Sequence, residues 1–359
     1  MTNRTIVLTG GGTAGHVSLN QAIIPELMKK QLNIEYIGSK EGIEKELIEG
    51  AYDAVPYHAI SSGKLRRYAS IKNFTDPFRV GLGFFQARKI LKKTKPVAVF
   101  SKGGFVSVPV VMAARTLKLP VVIHESDVTP GLANKLALPF ASQIFTVFKE
   151  TLKYVPADKS TCTGAVIRTE LLQGSKEYAR ELCDFQEDLP VLLVMGGSQG
   201  SVIINMAIRN NLATLTERFN VIHLTGKGNS EPSLVDHPRY RQFEYVTDEL
   251  THLLHFSDFI VSRAGSNSIF EFLALKKPML LIPLSKLQSR GDQLLNADLF
   301  KRQGFAHVLE EEELTPERFM TAIGNLQAEE DILVENMSNA EMPKTAEKMT
   351  ELILQYSNL

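Results

Sequence analysis

The sequence is poor in cysteine and has no excess of either charge. Its 359 residues include only two cysteines, Cys162 and Cys183, and neither belongs to a C-x-x-C pair. Separated thiols of this kind predict reduced cysteines in a cytosolic protein and argue against a structural zinc site. Lysine plus arginine and aspartate plus glutamate number 40 each, so the formal net charge is zero. An overall electrostatic attraction to nucleic acid is therefore not expected.

Long hydrophobic runs are also missing. No apolar stretch approaches the roughly 18 residues that a membrane-spanning helix requires. The short apolar run near the N-terminus leads directly into glycines and does not match a secretory signal. We therefore expect a soluble protein, or one attached to a membrane face without crossing it.

What the chain does contain is two series of alternating strand and helix patterns. Apolar strand candidates lie at 5–8, 34–37, 98–101, 121–124 and 144–147, and then at 190–195, 221–224, 243–245, 259–261 and 278–282. Such alternation is typical of an α/β fold with parallel sheets covered on both faces. Each series opens with a strand, a glycine turn and a helix, and ligands bind at such carboxyl ends of strands. We therefore predict two Rossmann-like domains facing across a cleft.

The first glycine turn is the most informative feature of the first series of strands and helices. Gly10, Gly12 and Gly15 match G-x-G-x-x-G, and His16 follows at the start of a helical pattern. Glycines let the backbone approach a ligand, the first helical N–H groups point toward it, and a histidine exchanges a proton near neutral pH. The motif alone is weak evidence for a dinucleotide site. Such a site also needs an acidic residue at the end of the second strand, and here that strand ends in Gly-Ser-Lys40. An NADP site using Lys40 and a purely structural turn remain as alternatives.

Three more glycine turns follow apolar strands, at 103–104, 196–200 and 265. No Asp-x-Asp occurs, the carboxylate pair that commonly holds a metal ion on a nucleotide-sugar diphosphate. We therefore favour a metal-free phosphate site made by Ser198 and the helix start after Gly265. The predicted cap of that helix is Ser266, and Glu271, one turn further on, could accept hydrogen bonds from two ribose hydroxyls. The alternative for Glu271 is a favourable interaction with the helix dipole alone.

Two other polar segments give less specific signals. Asp292 and Gln293 stand at a turn-to-helix start, where they suit sugar hydroxyls or plain helix capping. The acidic run at 310–313 is interpreted as a solvated loop.

One surface segment combines apolar and basic residues. Residues 74–85 include Phe74, Phe78, Phe84 and Phe85, and five basic residues follow by position 95. This combination suits a helix lying on an anionic membrane. A helix that packs on the core and exposes a basic side explains the pattern equally well.

Taken in order, the motifs resemble those of the MurG family of cell-wall glycosyltransferases over essentially the whole chain. They are GGTAGH at 11–16, GGFVS at 103–107, His124-Glu125, GGSQG at 196–200, SRAG at 262–265 with Glu271, and Asp292-Gln293 with Asn296-Ala297. The resemblance implies the glycosyltransferase B fold, with an acceptor- and membrane-facing domain at 1–164 and a donor-binding domain at 165–342. A C-terminal helix at 343–359 would pack back toward the first domain.

The resemblance also implies an activity and its participants. UDP-N-acetylglucosamine would be the donor and undecaprenyl-pyrophosphoryl-N-acetylmuramoyl-pentapeptide the acceptor, at the cytoplasmic face of the cell membrane. An anionic membrane surface would be a partner, other cell-wall synthesis proteins are candidate partners, and neither nucleic acid nor a cofactor is expected.

Site residues follow from the same resemblance, position by position. The donor site would contain Thr13, Ala14, Gly15, Asp127, Arg168, Ser198, Val246 at the uracil, Ser266, Asn267, Ser268, Ile269, Phe270, Glu271, and Asp292 and Gln293 at the sugar. Gly103 and Gly104 would face the acceptor. This chain has Ala14 where the family often has glycine, and Asp127 where many members have an asparagine that contacts the donor.

For the chemistry we expect an inverting displacement, in which the acceptor's 4-hydroxyl attacks the anomeric carbon while UDP leaves. His16 is the first candidate for the general base, and Glu125 is the second candidate or the residue that orients the acceptor. The rivals are a diacylglycerol glycosyltransferase, a UDP-N-acetylglucosamine 2-epimerase, an NAD(P)-dependent oxidoreductase and a non-catalytic nucleotide-sugar sensor.

Overall fold

The computed structural model describes residues 4–13, 15–63, 72–197, 199–286 and 291–358. The chain divides into two compact units. Unit 1 comprises Met1–Ile167 together with Lys344–Leu359, and unit 2 comprises Arg168–Pro343. In the described parts of the chain, no helix combines the length and apolar character that crossing a membrane requires.

Unit 1 is built on a seven-stranded sheet in which all paired strands run parallel, in the order β3-β2-β1-β4-β5-β6-β7. The strands are β1 (Thr5–Thr9), β2 (Asn33–Ser39), β3 (Tyr57–Ile60), β4 (Ala98–Ser101), β5 (Val121–Glu125), β6 (Gln143–Thr146) and β7 (Ser160–Cys162). The helices of this part of the chain are α1 (Gly15–Lys29), α2 (Ile43–Glu49), α3 (Lys72–Thr94), α4 (Ser107–Thr116) and α5 (Leu132–Ala137).

Two hydrophobic clusters cover the two faces of this sheet. Along β1 the side chains alternate, so that Ile6 and Leu8 belong to one cluster and Val7 belongs to the other. Every residue of β1 is buried, as expected for a strand whose sheet is covered on both faces. The last helix, α14 (Ala346–Gln355), adds Met349 and Ile353 to the cluster of Ile6, and it contacts α1. A short parallel pair, β8 (Val166–Ile167) with β15 (Lys344–Thr345), joins the two chain segments of unit 1.

Unit 2 repeats the plan with six parallel strands in the order β11-β10-β9-β12-β13-β14. The strands are β9 (Val191–Met195), β10 (Asn220–Leu224), β11 (Tyr240–Phe243), β12 (Phe259–Ser262), β13 (Met279–Leu281) and β14 (Ala306–Val308). The helices are α6 (Lys176–Cys183), α7 (Val202–Asn210), α8 (Leu212–Thr216), α9 (Glu249–Phe256), α10 (Ser266–Ala274), α11 (Asp292–Arg302), α12 (Pro316–Ala328) and α13 (Glu330–Ser338).

Both sheets have the strand order 3-2-1-4-5-6 of Rossmann folds. In such sheets the order reverses beside the first strand, here between β1 and β4 and between β9 and β12, and ligands bind outside the carboxyl ends at that point. The prediction of two Rossmann-like domains is therefore confirmed for each unit. One predicted strand was misplaced: residues 243–245 were expected to form it, but the strand is Tyr240–Phe243 and Tyr245 is exposed.

Candidate active site

The described candidates for catalysis and donor binding fall into two sets, one in each unit, and most of them follow the carboxyl ends of strands in the two sheets. In unit 1 the turns after β1 and β4 pack directly on each other. The Gly11 N–H donates to the Gly103 carbonyl at 3.3 Å. A Cβ on Gly104, whose φ is +86°, would lie 2.1 Å from the Gly11 carbonyl oxygen, so only glycine fits there. The turns that carry the two glycine motifs are therefore hydrogen-bonded and packed against each other.

His16 lies in the first turn of α1, directly above this pair of turns. Its Nδ1 is 3.1 Å from the Gly11 carbonyl oxygen and 3.0 Å from the Thr13 hydroxyl. A carbonyl can only accept, so this geometry assigns the proton to Nδ1 and the lone pair to Nε2. An imidazole held in one tautomer by a fixed acceptor is the arrangement that a general base requires. Gly15 begins the same helix, whereas Ala14 lies outside the described residues.

The amide groups of the first turn are not all directed at a ligand. Gly11 donates to Gly103, as described above, and Gly12 donates to the carboxylate of Glu44 at 3.0 Å. The N–H groups of these two glycines are therefore bonded within unit 1. Glu44 gives no distinct signal in the sequence, because an acidic residue in the first turn of a helix is ordinary.

Glu125, at the end of β5, is buried and holds the segment that follows it. Its carboxylate accepts from the Asp127 N–H at 3.0 Å, the Gly131 N–H at 2.9 Å and the Asn134 side-chain amide at 2.9 Å. Burial and the neighbouring Asp127 raise the pKa of Glu125, and the hydrogen bonds from Asp127, Asn134 and Gly131 only partly offset them. With three donors directed at it, this carboxylate is better placed to order the segment 126–131 than to take a proton from an acceptor.

One further buried residue in this part of unit 1 is Lys102, which no sequence pattern marks. The Nζ of Lys102, just after β4, is 3.0 Å from Nδ1 of His124. Burial lowers the pKa of Lys102 to about 8, although Glu125 and Asp127 act in the opposite direction. Burial is the larger cause, and the charge of Lys102 the smaller one, that holds the pKa of His124 well below its ordinary value. His124 is consequently neutral near pH 7, and its Nδ1 accepts from the lysine.

In unit 2, Gly265 stands at the N-cap position of α10 and offers no side-chain cap. The prediction that Ser266 caps the helix is therefore wrong, because Ser266 is the first helical residue. A Cβ on Gly265 would meet nothing within 4 Å. Ser266, Asn267 and Ser268 form the first turn, where backbone N–H groups and the helix dipole favour an anion.

The rest of α10 carries one member of an ion pair and several side chains that pack in the core. The Glu271 carboxylate lies 3.5 Å from the Arg168 guanidinium. Burial raises the pKa of Glu271, and Arg168 partly offsets that rise. The side chain of Ile269 is fully buried, and Phe270 packs edge-on against Phe300 at 5.2 Å between ring centroids. Ile269 and Phe270, both implied as donor contacts by the family resemblance, thus have side chains that pack within unit 2.

Three further donor-site candidates that the structure describes follow strands of the sheet of unit 2. Gln293, in the first turn of α11, accepts from the Leu284 N–H at 3.0 Å through its side-chain oxygen, which fixes the orientation of the amide. Asp292 begins that helix. Val246 follows β11 and is half-buried. Ser198 lies outside the described residues. Nearby, Arg263 donates to the Ser201 hydroxyl at 2.8 Å and to Glu311 at 3.1 Å, and both members of this ion pair are buried.

The helix α3 divides the predicted phenylalanines between two environments. Phe78 is 82% exposed and Phe85 is 69% exposed, whereas Phe84 packs against the core of unit 1. The side chain of Phe74 lies outside the described residues. Leu82 is also exposed, and Lys89, Lys92 and Lys93 continue the exposed face at helical spacing. One side of α3 therefore packs on the core, as the second interpretation predicts, and the other side exposes apolar and basic residues. Attachment to a membrane stays a prediction.

Comparisons with known proteins identify the class. Residues 6–146 match the glycosyltransferase family 28 N-terminal domain, and residues 191–353 match the glycosyltransferase family 28 C-terminal domain. The chain belongs to glycosyltransferase family 28. This agrees with the strand order of both units and confirms the predicted glycosyltransferase B fold.

Similar curated proteins share one name. A protein of Clostridium botulinum (strain Alaska E43 / Type E3) is 54% identical over 349 residues, 97% of each chain. Another, of Geobacillus kaustophilus (strain HTA426), is 56% identical over 337 residues, 94% of each chain. Both are named UDP-N-acetylglucosamine–N-acetylmuramyl-(pentapeptide) pyrophosphoryl-undecaprenol N-acetylglucosamine transferase. The resemblance to the MurG family drawn from the motifs is thereby confirmed.

Solved structures agree on the fold. MurG of Acinetobacter baumannii superposes with a TM-score of 0.77 at 24% identity, covering 98% of this chain and 99% of that chain. A UDP-GlcNAc 2-epimerase from Neisseria meningitidis bound to UDP-GlcNAc has a TM-score of 0.66 at 15% identity, covering 98% of both chains. At these identities the similarity shows the fold alone.

Proposed function

We propose that this glycosyltransferase moves N-acetylglucosamine from UDP-N-acetylglucosamine to the 4-hydroxyl of undecaprenyl-pyrophosphoryl-N-acetylmuramoyl-pentapeptide, with inversion, in peptidoglycan synthesis. The observation that carries the proposal is the identity of 54% and 56% to transferases named for this acceptor, over 94% or more of each chain. Most of the described site residues expected from the family motifs follow the carboxyl ends of strands in the two sheets, which supports the proposal.

The donor diphosphate is proposed to bind at the start of α10. Ser266, Asn267 and Ser268 form the first turn of that helix, and the side chain of Arg168 lies beside Glu271, which is on the same helix. The partial positive charge of the helix end and the guanidinium would meet the charge that grows on the leaving UDP, without a metal ion. Glu271 would accept from the ribose hydroxyls, since an ionised carboxylate offers two acceptor oxygens to a vicinal diol.

Deprotonation of the acceptor hydroxyl is assigned to His16. Its Nδ1 proton is directed at the Gly11 carbonyl, which leaves Nε2 as the nitrogen that accepts a proton. The hydroxyl oxygen would attack the anomeric carbon as the bond to UDP breaks, and the configuration at that carbon would invert. Glu125 would order the segment 126–131 beside the acceptor instead of serving as the base.

Peripheral attachment to the membrane is proposed to involve the exposed face of α3. Phe78, Leu82 and Phe85 recur at helical spacing and are exposed, and the lysines that follow them carry positive charge. Apolar side chains would enter the interface while the lysines contact anionic head groups. Since the acceptor carries a lipid chain, such attachment would place the enzyme, with its bound donor, on the membrane that holds the acceptor.

The decisive experiment is transfer of labelled N-acetylglucosamine from its UDP donor to a short-chain acceptor analogue. We expect a β-linked product at an unchanged rate when EDTA is added. Incubation of the donor without acceptor should return it unchanged. Formation of the C2 epimer in that control would instead favour an epimerase, and loss of transfer with EDTA would contradict the metal-free part of the proposal.

A further inference from the structure

The carboxylate of Glu44 lies directly beneath the first glycine turn and is completely buried. It accepts from the Gly12 N–H at 3.0 Å through one oxygen. The other oxygen accepts from the Ser39 N–H at 3.0 Å and from the Ser39 hydroxyl at 2.5 Å. All of these partners are donors, so the group is matched to the ionised form. Burial alone would raise the pKa of Glu44, but these hydrogen bonds outweigh it and hold the pKa below its ordinary value.

The surroundings are shaped to admit this carboxylate. A Cβ on Gly11 would lie 2.3 Å from the carboxyl carbon of Glu44, and a Cβ on Gly42 would lie 2.2 Å from one of its oxygens. Glycine at both positions therefore makes room for the acidic side chain. Ser39 is itself fixed, because the Tyr57 hydroxyl donates to its carbonyl at 2.6 Å. Glu44 thus occupies a built site within unit 1 and is not a solvated acid on a helix.

The position of Glu44 relative to His16 depends on one peptide group. The bond between Gly11 and Gly12 is planar, so the Gly11 carbonyl and the Gly12 N–H belong to one rigid unit and point in opposite directions. Glu44 holds the N–H end at 3.0 Å, and the carbonyl end lies 3.1 Å from Nδ1 of His16. A negative charge at the N–H end also polarises the peptide, which makes its carbonyl oxygen a stronger acceptor for the imidazole proton.

We propose that Glu44 is a positioning residue for sugar transfer, acting on His16 through the peptide that joins Gly11 to Gly12. The carboxylate fixes the plane of that peptide, the peptide carbonyl fixes the proton on Nδ1, and Nε2 is thereby kept as the proton acceptor. This inference rests on the proposed function, in which His16 is the base. Glu44 itself contacts neither substrate and transfers no proton.

The test compares Glu44→Gln with Glu46→Gln, an exposed acid two positions further along the same helix. For Glu44→Gln we expect kcat to fall by ~10-fold or more, since small misplacements of a catalytic group have effects of this order, while KM for UDP-N-acetylglucosamine changes by less than ~3-fold. Glu46→Gln should match the wild type. A second variant, Ser39→Ala, removes one hydrogen bond to Glu44 and should lower kcat in the same direction by a smaller factor; it decides the question if Glu44→Gln does not fold.

A spectroscopic measurement separates positioning from a merely structural role. The ring nitrogens of His16 are observed by two-dimensional NMR of protein labelled with nitrogen-15 in histidine, and His16→Asn identifies the signals by their loss. The wild type and Glu46→Gln should show the proton on Nδ1, whereas Glu44→Gln should show a mixture of tautomers. A Glu44→Gln protein with wild-type kcat, or with lowered kcat and an unchanged His16 tautomer, would overturn the inference while leaving the proposed function intact. Absence of transfer by the wild type would remove both.

Discussion

The guanidinium of Arg168 lies 3.5 Å from the carboxylate of Glu271, a residue of α10. Arg168 follows directly after β8, whereas Glu271 lies in the sixth position of the helix. The pair brings together one group that suits a diphosphate and one that suits a sugar diol. Arg168 and Glu271 lie far apart in the sequence, so their relationship becomes visible only in the folded unit 2.

The first prediction concerns ribose recognition. Replacing Glu271 with alanine should weaken binding of UDP by ~10–100-fold, the effect expected for losing hydrogen bonds to a charged acceptor. The variant should also lose discrimination between UDP and its 2′-deoxy analogue, because the discriminating carboxylate is gone. Competition binding with the two nucleotides measures both effects. Retained preference for UDP in the variant would show that another group recognises the ribose.

The second prediction uses the open space at Gly265. Its φ is −68°, and a methyl group there would meet no protein atom within 4 Å, so Gly265→Ala should fold normally. The methyl group would stand where the donor diphosphate is expected, and UDP binding should fall by ~10-fold or more. Gly324→Ala is the matched control, because Gly324 also has room for a Cβ and lies within α12, away from the site. Equal UDP affinity in both variants would place the diphosphate elsewhere.

Apolar runs made the central strands predictable, and their alternation with helical patterns predicted the two sheets. Edge elements are harder to predict: β11 has the sequence YRQF, with two polar residues in four, and the two aromatic residues Phe243 and Tyr245 shift the predicted strand to 243–245. A short strand at the sheet edge buries too little to leave a periodic signal.

Buried charged residues are the second feature that could not be predicted from the sequence. The acidic run at 310–313 was interpreted as a solvated loop, but Glu311 is buried against Arg263, a residue 48 positions away. Glu44 and Lys102 were not identified either, because each carries an ordinary local pattern and has its partners on other elements. Sequence periodicity reports which face of an element is apolar, and it cannot report a polar group whose burial is compensated by distant donors.

The third prediction concerns the proposed base. Replacing His16 with alanine should lower kcat by ~10²–10⁴-fold, the usual contribution of general-base assistance, with a far smaller change in donor affinity. Steady-state kinetics with the acceptor analogue, together with UDP binding, separate the two quantities. Replacing Thr13 with valine removes only one contact at Nδ1 and should reduce kcat much less. Undiminished turnover in the alanine variant would exclude His16 as the base.

The fourth prediction concerns membrane attachment. Changing both Phe78 and Phe85 to serine should reduce binding to vesicles that contain anionic lipid by ~100-fold or more, since burying each phenylalanine contributes roughly 1.5–3 kcal/mol. Binding of the wild type should also weaken as salt is raised, because the lysines of α3 are screened. Ile332→Ser, an exposed apolar residue of α13 in unit 2, serves as the control. Sedimentation with vesicles measures the affinity, and equal loss in the control would show a non-specific effect of surface hydrophobicity.

The last prediction concerns Lys102, whose pKa burial lowers from 10.5 to about 8 in the folded protein. Between these two values the unfolded chain binds a proton on this lysine that the folded chain has released. Stability rises with pH wherever the unfolded state binds more protons, so this group should make the free energy of unfolding increase from about pH 8 toward 10.5. Lys102→Met should lack that part of the increase. Urea unfolding of both proteins at several pH values gives the difference, in which the contribution of Lys277, whose pKa burial also lowers to about 8, cancels. Parallel pH profiles for the two proteins would mean that Lys102 keeps its proton in the folded state, held there by Glu125 and Asp127 against the cost of burial.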